Sequence, residues 1–187
     1  MSTNPKKKIS REWFEITITE HYKWLANNTK GKQAYFTDTE FKNVTFSDIN
    51  LNNCIFYNCN FVNCKFTNVN LSNSGINCCN FNGVLFEKSD INNTHFVCCD
   101  FNKLLIEKSN ISECLFKSGK FLNTFLVDNI NFRTSFKDSF FDRKIEEVSN
   151  ASTSRIEVRL SKPALKLLLY LNDMNKGDED EDEYNDL

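Results

Sequence analysis

Residues 34–68 read AYFTD, TEFKN, VTFSD, INLNN, CIFYN, CNFVN and CKFTN, seven five-residue frames without a gap. The third letter of every frame is Phe or Leu, and a period of five is neither the 3.6 of an amphipathic helix nor the 2.0 of a half-buried strand. Outward from this stretch the centre recurs at Phe36, Phe41, Phe46, Leu51, Phe56, Phe61, Phe66, Leu71, Ile76, Phe81, Phe86, Ile91, Phe96, Phe101, Ile106, Ile111, Phe116, Phe121, Leu126, Phe136 and Phe141, with Asn131 the one interruption. A repeat carried this far decides the architecture before any propensity argument, and these centres are the expected structural core.

Two positions before the centre the residue is mostly small: Ala34, Thr39, Val44, Cys54, Cys59, Cys64, Val69, Ser74, Cys79, Ser89, Cys99, Ser109 and Cys114. Large and small side chains therefore alternate in one interior. Two after the centre stand Asn43, Asn53, Asn58, Asn63, Asn68, Asn73, Asn93 and Asn123. Asn suits a tight corner because it tolerates positive φ and bonds nearby backbone. The asparagines read as corners, not as a site.

In this pattern the chain resembles the pentapeptide-repeat proteins, whose consensus is a small residue, a polar one, a central Leu or Phe, and two more polar residues. The match covers Ala34 to Arg143. The resemblance implies an all-β fold, a right-handed quadrilateral β-solenoid with four pentapeptides to a coil. The residues support that coil length independently, since LFEKSDI from Leu85 returns twenty positions later as LIEKSNI from Leu105. The residue before the centre is Asn50, Asn60, Asn70, Asn80, Asp90, Asp100 and Asn110 on alternate frames, so two opposite sides are polar. Twenty-two frames make about five and a half coils, which at a strand spacing of ~4.8 Å stand roughly 25 Å tall.

The flanks divide the rest of the chain. Residues 1–33 read as a basic segment and a capping helix: Thr17 and Glu20 have capping-box spacing, His21, Tyr22, Trp24 and Leu25 follow, and Asn27, Asn28 and Gly31 end the helix. A Trp-Leu pair and a Gly turn also precede the repeats in similar proteins. Residues 144–160 form a linker and a short extended segment. Residues 161–175 read as an apolar helix that Ser161 caps, with Leu165, Leu168 and Leu169 among its apolar residues. One face of it suits the last coil and another a second copy, so a homodimer through the C-terminal end is expected. Asp178–Leu187 is an acidic tail with too little apolar surface to order itself.

Eight cysteines suggest neither export nor a metal. No apolar run follows Lys6–Lys8, so the expected compartment is the cytoplasm with thiols reduced. Cys59, Cys79 and Cys99 stack in one interior column at a spacing wider than a disulfide wants. A zinc site built from Cys78, Cys79, Cys98 and Cys99 fails because adjacent cysteines point to opposite sides of the wall. Cys78 and Cys98, near His95, remain as an exposed thiol pair.

No phosphate loop, metal-binding His pair or nucleophile elbow appears, so an enzyme, a cofactor and a metal are not expected. Glu87 and Glu107 stack one coil apart beside Lys88 and Lys108 and read as an ion-pair ladder. Binding to protein is the expected function. The candidate interface is an outward apolar row, Leu85, Leu105 and Phe125, with Val127 beside it, together with Leu165, Leu168 and Leu169. The resemblance offers an alternative, since some similar proteins mimic DNA and occupy a type II topoisomerase such as DNA gyrase, protecting it from quinolones or peptide toxins. Between Ala34 and Arg143, however, eleven acidic residues face ten basic ones, whereas DNA mimicry needs a strongly negative face. Asn129–Arg133 is the one candidate projecting loop. No basic stripe favours direct binding to nucleic acid.

Overall fold

The computed structural model describes residues 6–140 and the backbone of Phe141. The linker, the apolar segment with Leu165, Leu168 and Leu169, the acidic tail and the side chain of Phe141 lie outside the described residues. On three of the four sides each frame is a short strand followed by a sharp corner, as in Ile55–Tyr57, Asn60–Val62 and Lys65–Thr67. The corner residue is the second after the centre and sits in the left-handed region, with φ from 49° at Lys108 to 68° at Gly83. Asn and Asp visit this region at least cost among non-glycine residues. Lys88, Lys103, Lys108 and Glu113 hold it as well, so the coil imposes the geometry on any residue at that place.

Four corners close a turn, and every strand pairs in parallel with the one twenty residues on. The first side carries Phe36, Phe56, Ile76, Phe96, Phe116 and Phe136. The second carries Phe41, Phe61, Phe81, Phe101, Phe121 and Phe141, and the third Phe46, Phe66, Phe86, Ile106 and Leu126. The fourth carries Leu51, Leu71, Ile91, Ile111 and Asn131 and is joined only by single bridges from Asn50 through Asn70, Asp90 and Asn110 to Ile130. There the acceptor side chains of Asn50, Asn70, Asp90 and Asn110 take the N–H two residues on, at 3.0–3.2 Å. An Asx-turn thus replaces a strand. The whole is a quadrilateral parallel β-solenoid of about five turns.

The centres point inward and stack ring on ring along the axis, from 4.5 Å between Phe46 and Phe66 to 5.1 Å between Phe81 and Phe101. Around a coil they meet edge to face, as Phe96 does with Phe101 at 65°. Both arrangements suit the aromatic quadrupole. The centres are buried as the period requires, with Phe136, on the last coil, only half-buried.

The small interior positions do more than fill space. Ser74 Oγ donates to Leu51 O at 3.1 Å and accepts from Cys54 N at 3.1 Å, and Ser89 does the same with Phe66 O at 3.2 Å and Val69 N at 3.2 Å. Cys59, Cys64 and Cys99 reach the equivalent carbonyls at 3.3–3.5 Å. These side chains tie each coil to the one before it, so reading the cysteines as packing alone is corrected. Burial pushes the Cys54, Cys64 and Cys114 thiols up to about 12, 11 and 12, which keeps them protonated donors.

Asn131, where an apolar centre is missing, still turns inward and keeps the frame. Asn129 beside it donates to Ile106 O at 2.8 Å and accepts from Ser109 N at 2.9 Å, taking the part that Ser plays elsewhere. Asn129–Arg133 is therefore not a projecting loop. Instead, Ile130 and Phe132 are left outside, with Arg133 over the Phe132 ring at 4.8 Å.

At the N-terminal end, helix α1 spans Arg11–Ala26, longer than the sequence suggested. Its N-cap is Ser10, which accepts from Trp13 N at 3.2 Å. Thr17 lies mid-helix with its hydroxyl donated to Trp13 O at 2.8 Å, so the capping box at Thr17–Glu20 does not form. Phe14, Ile18 and His21 are its buried residues, and Phe14 rests on Phe36 at 5.9 Å and Phe46 at 5.7 Å. His21 Nδ1 accepts from Ala34 N at 3.1 Å, while Tyr22 Oη accepts from Asn50 N at 3.1 Å. Gly31, at φ 70°, closes the turn where an added Cβ would lie 2.2 Å from Glu20 O. Strand β1, Lys7–Lys8, pairs with Thr39 and Glu40 and covers the first edge of the second side with the lysines that sheet edges favour.

Candidate functional site

No group of three or more His, Cys, Asp or Glu side chains able to hold a metal occurs among the described residues. Cys78 and Cys98 stand exposed at corners while Cys79 and Cys99 are buried, so the adjacent cysteines diverge as their alternation along the chain requires. Glu87 and Glu107 are in register. The partner of Glu87 is chiefly Lys65 on the preceding coil, at 3.2 Å, with Lys88 at 3.6 Å. Burial opposes ionisation of Glu87, but Lys65 and Lys88 outweigh it and hold its carboxyl below the usual range. A carboxylate clamped in this way is structural. No described helix is long and apolar enough to cross a membrane.

The outward face of the third side holds the candidate interface. Lys65, Leu85, Leu105 and Phe125 pair in one column, and Thr67, Glu87, Glu107 and Val127 in a second. Each alternates with an inward centre, so all of them point away from the aromatic column. The expected row is thus in register, but it is not the exposed patch that the sequence suggested. Leu85 is 7% exposed and Leu105 2%, although neither belongs to the interior cluster. Ile55 and Leu115, at the same outward position on the first side, are half-buried, as are Phe125 and Val127. The Thr67 hydroxyl, also on this face, is buried without a hydrogen-bond partner.

Sequence reasoning missed a second grouping. Tyr35 and Tyr57, both exposed, flank Ile55 on the first side, whose strands align Tyr35 with Ile55 and Thr37 with Tyr57. Trp13 of α1 is exposed above them, edge-on to Phe36 at 6.0 Å. The tyrosines lie outside the small and central positions on which the period fixes attention, and Trp13 precedes the stretch read as helix.

Residues 34–111 match the family described as pentapeptide repeat region. No curated protein sequence matches the chain. Among solved structures, a pentapeptide repeat protein of the Arabidopsis thaliana thylakoid lumen is 14% identical, with a TM-score of 0.29 over 58% of this chain and 61% of that one. The chain therefore spans less than two thirds of that protein's length. The pentapeptide repeat protein Rfr23 of the cyanobacterium Cyanothece 51142 is 10% identical over 67% of this chain and 95% of that one, with a TM-score of 0.26. QnrB1, a plasmid-mediated fluoroquinolone resistance protein, is 13% identical over 59% and 78%, with a TM-score of 0.24. The five-residue frame runs on past Ile111 in register to Phe136, and residues 34–111 within it are a pentapeptide repeat region.

Proposed function

We propose that this protein is a non-enzymatic scaffold that holds a protein partner against the sides of its solenoid. The observation that carries this reading is the in-register apolar row Leu85–Leu105–Phe125 on the third side, with Val127 beside it. Leu85 and Leu105 are themselves buried, but Phe125 and Val127 at the end of the row keep part of their exposure, and apolar side chains held on a frame that internal hydrogen bonds fix offer a preorganised docking edge, which lowers the ordering cost of binding. The near balance of eleven acidic and ten basic residues between Ala34 and Arg143 favours an apolar contact over imitation of DNA. Self-association at the C-terminal end belongs to the same reading, since Ile130 at 67% and Phe140 at 60% exposure stand outward on the last coil. The cytoplasm is the compartment it assumes.

Capture from host lysate tests it, with the wild type compared against a Leu85→Lys, Leu105→Lys, Phe125→Lys variant at low and high salt. A partner that survives high salt with the wild type and is lost with the variant supports the scaffold. Capture of a topoisomerase subunit that salt or added DNA releases would overturn it in favour of DNA mimicry, because exposed charge contacts are screened while apolar ones are not.

A further inference from the structure

We propose that Cys78 and Cys98 form a two-coordinate thiolate site for a soft monovalent cation, the cuprous ion being its best-matched occupant. The inference goes beyond the scaffold reading and stands apart from it. Both residues occupy the corner between the first and second sides, one coil apart, each at φ 55°. Both are exposed, free thiols. Cys78 N donates to Val97 O at 2.9 Å and Cys98 N to Lys117 O at 2.8 Å, so the two backbones repeat one geometry and send their side chains out in parallel. Side chains at successive corners do meet across the coils. In the same column Asn58 donates to Asp38, and at another corner Asn93 Nδ2 donates to Asn73 Oδ1 at 2.8 Å.

The coil spacing selects the chemistry. Aromatic rings stack at 4.5–5.1 Å along the tube, and parallel thiols at that spacing stand too far apart for a disulfide, whose Cβ atoms approach to about 3.8 Å. Two collinear metal–sulfur bonds of about 2.3 Å span ~4.6 Å, which fits. Thiolates select soft ions, cuprous copper among them. A tetrahedral ion needs four ligands, and no group of three or more His, Cys, Asp or Glu able to hold a metal occurs among the described residues. The interior thiols do not compete. They are buried, and Cys79 and Cys99 donate through Sγ to Asn77 O and Ile76 O, each at 3.3 Å. On binding, each exposed thiol releases its proton and each sulfur donates an electron pair, so nothing is oxidised and the product carries one net negative charge. Lys117 and Lys120, exposed on the next coil in register with Val97 and Asp100, outnumber Asp100 beside the pair and offset that charge.

Anaerobic titration of the reduced full chain with cuprous ion, read by competition with a chromophoric chelator, tests this. One ion per chain is expected, with X-ray absorption showing two sulfur neighbours and light scattering showing no change of mass. The bound ion should also shield Cys78 and Cys98 from alkylation. Cys78→Ser and Cys98→Ser should each lower the affinity by more than the roughly hundredfold that disturbing an outer-shell contact costs. Ser118 occupies the next corner of the same column at φ 55°, so serine fits there and the circular dichroism of the solenoid should stay unchanged. Affinity kept by either single variant, or binding that persists in the double variant, would assign the ion to other groups and overturn the proposal. Three or four sulfur neighbours, or a mass that doubles only when metal is added, would overturn it by placing the ion between copies or in a larger site. Failure of the wild type to compete for the ion would overturn it as well.

Discussion

Phe81 shows how little freedom a centre has. It is fully buried and lies between Phe61 at 4.8 Å and Phe101 at 5.1 Å. Phe81→Ala should cost about 3–5 kcal/mol in denaturant unfolding, and Phe81→Asp should abolish folding, because an unpaired charge in the tube has no counter-ion. Asn82→Asp on the outside should stay within about 0.5 kcal/mol of wild type. Equal tolerance of the two aspartates would refute the solenoid. The thiols give a second measure at this scale: alkylation of the folded chain should label Cys78 and Cys98 only, and all eight cysteines after denaturation, as intact mass would report. The centres and the corners were legible in the sequence because each obeys one steric demand repeated every five residues. The bonding role of the small positions was not, since Cys, Ser and Thr are alike in size and only their shared carbonyl partners reveal the common donor.

At the scale of elements, helix α1 titrates. Burial lowers the pKa of His21 from its ordinary value of 6.5, and its Nδ1 already accepts the Ala34 amide, so protonation there breaks the bond. With the folded pKa below the unfolded one, stability is full above pH 6.5 and declines as the pH falls from there through the folded value. Melting curves between pH 8 and pH 5 should show this loss in the wild type and a smaller one in His21→Asn, which offers an acceptor but does not titrate. The extent of α1 escaped the sequence because Thr17–Glu20 offered a box of the right spacing, whereas Ser10 caps without one. Strand β1 escaped because two lysines carry no strand signal until an open sheet edge is there to receive them. Neither element shares the period of five, so neither could be found by extending it.

For the whole molecule, the reading as a scaffold predicts a particle whose association depends on one end. If copies pair through the last coil, light scattering should give twice the monomer mass for the wild type, and Ile130→Glu with Phe140→Glu should return the monomer without a change in the circular dichroism of the solenoid. Retention of the dimer by that variant would move the contact elsewhere. The alignment of Leu85, Leu105 and Phe125 was legible from twenty-residue spacing alone, but their burial was not. Alignment is a property of the coil, whereas burial on an outer face depends on three-dimensional surroundings that spacing does not carry.

The seal that α1 and β1 place over the first coil bears on polymerisation. A parallel solenoid stacked head to tail would continue its own hydrogen-bond ladder without limit and grow into a fibre. Here the head edge of the second side is already occupied by Lys7 and Lys8, and Phe14 lies over the first aromatic layer. With the head so covered, any contact between copies through their ends would be tail against tail, an arrangement that terminates at two.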